Sequence, residues 1–444
     1  MNLVIHDLTQ EEWSKVASKY DGWKVISDNG TIKPCIGCFG CWVKSPGECV
    51  IKDGYDQMGA LIHHADEVLV ISKYTYGGLS SFLKNVFDRS IGWVSPYFEV
   101  YEGEMHHQKR YPEDKPMSFI FRGAGLTEED QAKARGYVEA ACRNFHAKIK
   151  SITFETLESV DSEPQGTEED SLASTSAQKA ADTSEDSETM EAGRLVMLNC
   201  SLRADNANSK KFMKRILPLL KTEAEIINLS SYLAHPEKLV ELLLSAEKIV
   251  LGMPLYVDGV PSAPLRIMEM LEKSGKAAGK KIYIVANMGL YESKQICHLL
   301  SIVKTWCEAC GSEYCGGLAI GAGEMLKMMM RSENIDKGPS KNMAEGTKRI
   351  AAAINEGQGS SSALVGMTEG EKLIYKLVEN NVEFAQSQFD DNLSFNSEVL
   401  TNVLYDNIYK LLGDKFVEED FADWVADELL KQGYVLKQAE AEPA

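Results

Sequence analysis

Four cysteines crowd into one short stretch, Cys35-Ile-Gly-Cys38-Phe-Gly-Cys41-Trp-Val-Lys-Ser-Pro-Gly-Glu-Cys49, with the spacing Cys-x2-Cys-x2-Cys-x7-Cys. Glycines at 37, 40 and 47 let the backbone wrap tightly, and Pro46-Gly47 turns it back toward the first three thiols. Four thiolates gathered this way suit a [4Fe–4S] cluster or a structural zinc ion. Cysteines at i, i+3 and i+6 can fold onto one face of a cubane that Cys49 then closes. Zinc thiolates more often come as two separated Cys-x2-4-Cys pairs. Reduced or redox-active thiols without metal are a third reading. Disulfides rank below these, because the remainder of the chain reads as a cytosolic enzyme whose thiols stay reduced.

A second stretch is Asn199-Cys200-Ser201-Leu202-Arg203-Ala204-Asp205-Asn206-Ala207-Asn208-Ser209, between an apolar run and a helical pattern. A phosphate there would meet backbone N–H groups, the hydroxyls of Ser201 and Ser209, and the positive end of a helix. Arg203 adds a charge-assisted contact. The plain alternative is a polar strand–helix loop capped by Asn208 or Ser209. Further on, Pro254-Leu255-Tyr256-Val257-Asp258-Gly259 offers an aromatic ring and backbone amides after one apolar run, and Asn287-Met288-Gly289 follows the next. Three loops on one sheet edge would make a site for a flat, phosphate-bearing cofactor. Tyr256 alone reads more simply as a half-buried tyrosine.

Weaker signals read as structure. Cys297, Cys307, Cys310 and Cys315 behave as small core residues rather than a second cluster. His106-His107 reads as a solvated loop, since adjacent side chains diverge. Met325, Met328, Met329 and Met330 read as packing or a mobile cover.

The elements that must position these loops alternate strand and helix. Leu3–Ile5, Trp23–Ile26, Val68–Ile71, Phe119–Phe121 and Ile152–Phe154 read as strands of one unit, with helices over 10–20, 55–64, 80–89 and 127–148. Val68-Leu69-Val70-Ile71 is the continuous apolar run of a strand buried on both faces of a parallel sheet. A second unit repeats the plan, with strands at 195–198, 225–228, 249–251, 282–285 and 317–320, helices over 208–220, 239–246 and 293–310, and an end near Asn355. Ala65-Asp66-Glu67-Val68-Leu69-Val70 parallels Ala246-Glu247-Lys248-Ile249-Val250-Leu251, and the block from Gly77 parallels the block from Gly259 with one residue of slip. The fold class is α/β: two doubly wound parallel-sheet units, 1–155 and 193–356. Between them, 156–192 is rich in Glu, Asp, Ser, Thr and Ala and reads as a flexible acidic linker. Residues 357–367 read as a second linker, and 368–444 as a helical appendage for packing or docking.

With 444 residues the chain exceeds one compact core. A net charge of −19 argues against nucleic acid and anionic membrane surfaces as partners. No apolar run is long enough to cross a bilayer and no secretory signal is evident, so a cytoplasmic location is expected.

Both units resemble flavodoxin-like NAD(P)H-dependent FMN reductases, as a tandem duplication. The cysteine loop, followed by Val50-Ile51-Lys52-Asp53, looks like that of the iron–sulfur flavoproteins of anaerobic microbes. The resemblance covers 1–155 and 193–355. The family's phosphate loop is matched by Asn199-Cys200-Ser201-Leu202-Arg203 with Asn208-Ser209, and its Pro-x-Tyr loop by Pro254, Leu255 and Tyr256. It implies FMN on the second unit, held by Ser201, Arg203, Asn208, Ser209, Pro254, Leu255, Tyr256, Val257, Asp258, Gly259, Asn287 and Gly289. It implies NAD(P)H as electron donor and a [4Fe–4S] cluster on Cys35, Cys38, Cys41 and Cys49. The first unit departs from the pattern: Ile5 to Glu12 is short and acidic where a phosphate would sit, and Lys73-Tyr74-Thr75 replaces Pro-x-Tyr. The expected function is a flavin-dependent oxidoreductase that passes electrons to a small-molecule or protein acceptor, with no side chain needed as a catalytic base. A homodimer or a face-to-face pair of units would bring the cluster to the flavin. The alternatives are a non-catalytic electron carrier or redox sensor, and a scaffold of relic units.

Overall fold

The computed structural model describes residues 1–156, 193–323, 326 and 342–366. The acidic linker, the helical appendage and the four-methionine stretch lie outside the described residues.

The first half runs β1 (Leu3–His6), α1 (Gln10–Val16), β2 (Lys24–Ser27), α2 (Gly40–Val43), α3 (Met58–His64), β3 (Val68–Lys73), α4 (Ser81–Arg89), β4 (Val94–Tyr101), β5 (Glu104–Lys109), β6 (Lys115–Gly123), α5 (Glu128–Asn144) and β7 (Ala147–Thr156). The second half runs β8 (Leu195–Asn199), α6 (Asn208–Ile216), β9 (Ile226–Asn228), α7 (Pro236–Leu244), β10 (Lys248–Pro254), α8 (Ser262–Ser274), β11 (Lys281–Asn287), α9 (Cys297–Cys310), β12 (Glu313–Ile320), α10 (Asn342–Glu356) and β13 (Ala363–Val365).

Two parallel sheets result, ordered β2-β1-β3-β6-β7 and β13-β12-β11-β10-β8-β9. In each, the chain starts inside the sheet, steps outward once and then reverses, which puts a topological switch point at the carboxyl ends of the strands. The apolar runs form central strands because both faces are covered: β3 is buried from Val68 to Ser72 and β8 along its length. Capping boxes, Thr9 with Glu12 and Thr127 with Asp130, start α1 and α5.

Three sequence expectations change. Residues 94–109 form an antiparallel hairpin, β4–β5, turned at Glu102-Gly103 with φ of 51° and 78°. His106 therefore lies in a strand and is buried, not in a solvated loop. The stretch 357–367 is not only a linker, because β13 within it adds a sixth strand to the second sheet.

The halves pack through equivalent helices, α4 on α8 and α5 on α9, inside one continuous apolar core. The loops after β3 and β10 share one backbone plan: Thr75 bridges Gly78 and Tyr256 bridges Gly259, with positive φ at Tyr76 and Val257. The matching glycine is thus Gly78 rather than Gly77. Ser81 and Ser262 each stand three residues past it, and Asp88 and Glu269 ten. These pairs cross over. Ser81 Oγ donates to Glu269 at 2.8 Å, and the Ser262 N–H donates to Asp88 at 3.0 Å.

Candidate functional site

At the end of β8, the buried side chain of Asn199 organises the following loop. Its Nδ2 donates to Ala204 O and Asn228 Oδ1, each at 3.0 Å. Its Oδ1 accepts from Ser209 Oγ at 2.9 Å and from the Ser201 N–H at 3.3 Å. Ala204 takes a φ of 50°, which closes the turn. Helix α6 follows with Ala207 at its N-cap and no side-chain cap, so the capping by Asn208 or Ser209 that was the plain alternative does not occur. Its positive end and first turn reach the same cavity as Ser201 and Arg203.

The loop after β10 is held from both sides. Leu255 N–H donates to Asn287 O at 2.8 Å, and Lys84 of the first half donates from Nζ to Tyr256 O at 2.7 Å. Asn287, at the end of β11, is buried, and its Oδ1 has no hydrogen-bond partner among the described residues. A bound group with an N–H or O–H would meet that requirement.

The first half supplies the opposite wall. Gly37 of the cysteine loop lies so close to Tyr256 that a Cβ there would stand 2.1 Å from its hydroxyl. The Arg203 guanidinium stands 5.6 Å from the centre of the Phe39 ring. Phe39 stacks on Trp42 at 5.3 Å, and the Trp42 indole N–H donates to Ile91 O and Val94 O. The hairpin adds Phe98 and His107, whose ring lies 4.3 Å from that of Trp42. Burial pushes the His107 imidazole down to about 3, so it is neutral at ordinary pH.

One cavity thus collects Cys35, Cys38, Cys41 and Cys49 from the first half with Ser201, Arg203, Asn208, Ser209, Pro254, Leu255, Tyr256, Val257, Asn287 and Gly289 from the second. Two expected cofactor contacts are not in its lining. Asp258 instead receives a 3.1 Å hydrogen bond from Asn144, with burial raising its carboxyl, and a Cβ on Gly259 would meet Tyr137, Lys84 and Ile302. Both serve the contact between halves. Phe98, His107, Asn144 and Arg89 line the site without having been anticipated. A Glu-Gly pair between alternating stretches was the available sign for the hairpin that carries two of them.

The thiols differ in setting. Cys38 is exposed and accepts from the Gly40 N–H at 3.4 Å, while Cys49 accepts from Arg89 Nε at 3.1 Å. Burial, then the neighbouring Cys49 and Cys38, pushes the Cys41 thiol up to about 12; burial raises Cys35 further. None of the ten cysteines is in a disulfide. Among the described residues, no three His, Cys, Asp or Glu side chains form a ready metal-ligand set, so the four thiols share a wall without converging. Their donor chemistry suits a cluster: four sulfurs on one loop, two already receiving N–H groups. At the other end of the chain, Cys307 and Cys315 are buried in the core and Cys297 is exposed.

No family model matches the chain. An iron–sulfur flavoprotein of Methanocaldococcus jannaschii is 39% identical over 59 residues, which is 13% of this chain and 30% of that protein, so the chain spans less than a third of its relative's length. Among solved structures, an azoreductase of Bacillus anthracis is matched at 14% identity over 36% of this chain and 98% of its own, with a TM-score of 0.29. An FMN-dependent NADH-azoreductase of the same species, in complex with FMN, is matched at 13% identity over 36% and 97%, also with a TM-score of 0.29. These values add nothing to what the sheet order itself shows.

Proposed function

We propose that the chain is a flavin-dependent oxidoreductase in which one FMN is bound by the second half under the cysteine loop of the first. The observation that carries this reading is the shared cavity. The loops after β8, β10 and β11, which have the residue types for a phosphate and a flat ring, face four thiols across one space. In that reading a bound FMN would supply hydride chemistry toward NAD(P)H, and an iron–sulfur cluster would supply one-electron transfer.

The chain's own part is to bind, orient and exclude water. Ser201, Ser209, Asn208 and the start of α6 would hold the phosphate, and Arg203 would balance its charge. Tyr256 and the strand-end loops would hold the ring, and Asn287 Oδ1 would be the buried acceptor available to it. Phe39, Trp42 and Phe98 keep water from the far side. Cys35, Cys38, Cys41 and Cys49 would ligate the cluster as thiolates, so its assembly would be favoured by rising pH. No side chain is assigned as acid or base.

The two halves are read as a tandem duplication, 1–156 and 193–366, the second extended to include β13. Pairing within one chain removes the need for a homodimer to build the site. The electron acceptor is a small molecule or a protein, and the cytoplasm is the expected compartment. Among the described residues no helix is long and apolar enough to cross a membrane.

The test is an absorption spectrum of the full chain purified without oxygen, with flavin, iron and labile sulfide assayed. Flavin near one per chain, with about four irons, supports the reading. Stoichiometric zinc would leave a flavin reductase with a structural cysteine loop, and protein without flavin would refute the proposal. Oxidation of NAD(P)H with an artificial acceptor separates an enzyme from an electron carrier or redox sensor.

A further inference from the structure

The end of α4 is where three contacts converge. Lys84 reaches the Tyr256 carbonyl, Asp88 accepts from Ser262 of the other half, and Arg89 turns into the cysteine loop. Arg89 is fully buried, with no side-chain exposure. Its Nε donates to Cys49 Sγ at 3.1 Å. One terminal nitrogen donates to Lys33 O and to Asp53 Oδ2, both at 2.8 Å, and the other to Ile51 O and Asp53 Oδ1, both at 2.9 Å. All five N–H groups of the guanidinium are therefore engaged. Lys33 and Ile51 flank the two ends of the cysteine loop, and Asp53 also accepts from the Lys33 N–H at 2.8 Å. One side chain thus fastens both ends of the loop and touches its last sulfur. The corresponding place in α8, eleven residues past the bridging glycine, holds Met270. The arginine belongs to the half that has the thiols, so ordinary helix packing does not explain it.

We propose that Arg89 is the positioning residue of the four-cysteine loop, fixing the Cys49 sulfur relative to the Tyr256 loop through α4 and favouring the reduced state of an iron–sulfur cluster held there. The redox part rests on the cluster reading above; the positioning part does not. A cluster gains one negative charge on accepting one electron. A buried cation and an N–H···S bond stabilise that state more than the oxidised one, so they raise the reduction potential. Lysine would keep the charge but lose the planar fork that spans Lys33, Ile51, Asp53 and Cys49.

The test uses full-length protein and the substitutions Arg89→Lys, Arg89→Met and Asp53→Asn. In protein stripped of metal, hydrogen exchange of amides 33–53 should rise about tenfold or more in Arg89→Lys, with flavin content unchanged. In anaerobically prepared protein, a redox titration followed by electron paramagnetic resonance should rank the potentials wild type, Arg89→Lys, Arg89→Met. The last should differ from wild type by about tenfold in the reduction equilibrium, or ~59 mV for one electron. Asp53→Asn should loosen the loop while leaving the potential nearer to wild type, because the Arg89 charge and its sulfur contact remain. Loss of iron from Arg89→Lys with flavin retained would support the positioning role. Unchanged exchange in the metal-free variant would overturn it. Equal potentials in variants that retain iron would overturn the redox role. Wild-type protein without iron would refute the cluster reading alone, and the exchange measurement would still decide the positioning role.

Discussion

The contact between Gly37 and Tyr256 is the place to test whether the two halves share one site. Gly37 has a φ of 63°, and a Cβ there would lie 2.1 Å from the Tyr256 hydroxyl and 3.2 Å from the ring carbon that bears it. Gly37→Ala therefore carries two costs. Placing an L-residue in the left-handed region costs about 1–2 kcal/mol. Overpacking against a tyrosine held on both sides adds roughly 1–3 kcal/mol. Gly30→Ala separates the two, because Gly30 has a φ of 76° with nothing within 4 Å of the added carbon. It should show only the backbone cost. Tyr256→Phe removes the atom at 2.1 Å and leaves the milder 3.2 Å contact. In the double variant Gly37→Ala/Tyr256→Phe the overlap should be largely relieved, giving a coupling of about 1–3 kcal/mol. The measurement is denaturant-induced unfolding of the full chain for the four variants, with flavin content alongside. If Gly37→Ala costs no more than Gly30→Ala and shows no coupling to Tyr256→Phe, the cysteine loop does not rest on the Tyr256 loop and the shared-cavity reasoning fails.

Lys84→Met should destabilise the protein by roughly 3–5 kcal/mol, since it leaves the Asp88 carboxylate buried without its partner; Lys84→Met/Asp88→Leu should recover part of this in the same unfolding assay. Asn287→Leu should weaken flavin binding by about tenfold or more in a fluorescence titration, matching the loss of one buried hydrogen bond of about 1–3 kcal/mol, with the fold intact by circular dichroism. His6 stacks on Trp13 at 4.1 Å and is lowered by burial from 6.5 to about 4. The unfolded chain therefore binds the extra proton first, and stability falls as pH drops from 6.5 toward 4. His6→Gln should flatten that part of a melting-temperature profile, and an unchanged slope would remove His6 from the acid response.

The strands were legible where burial on both faces leaves a mark. Val68 to Ile71 and Ile249 to Leu251 are unbroken apolar runs because helices cover both sides of β3 and β10. The cysteine loop and the 199–209 loop stood out as site candidates because their polar residues are local, packed into runs of fifteen and eleven residues, and both reach one cavity. The hairpin was missed because its function is to reach across. Met105 at its tip receives its anchor from Glu292 of the other half, at 2.8 Å, and no local pattern encodes that bond. β13 is three residues long, too short for any periodicity, and its pairing with β12 is what makes it a strand. Asp258 and Gly259 looked like ligand contacts because they continue the Pro-x-Tyr loop. The positive φ at Val257 and Asp258 turns them away toward α5. Whether the cysteines and the phosphate loop share a cavity depends on how α4 meets α8, which sequence spacing does not specify.

The crossed contacts join serines and carboxylates at equivalent positions, one through the Ser81 hydroxyl and one through the Ser262 N–H, but the cavities they could frame are not equivalent. A pair of identical halves would build the same site twice. In the first half the equivalent position is closed by particular residues. Thr75 stands where the other half has Tyr256. At the end of β1, both carboxylate oxygens of Asp7 accept the Lys73 N–H, at 2.9 and 3.0 Å. A carboxylate at that strand end repels a phosphate and occupies the amide nearest to it. In exchange, the loop after β2 carries thiols, whereas the loop after β9 carries none. Each half therefore supplies one component of the site, and the packing of α4 on α8 brings the two together. Joining them in one chain also keeps the asymmetry in place. Only the pairing of the first half with the second puts the sulfur loop over the loops suited to a flavin.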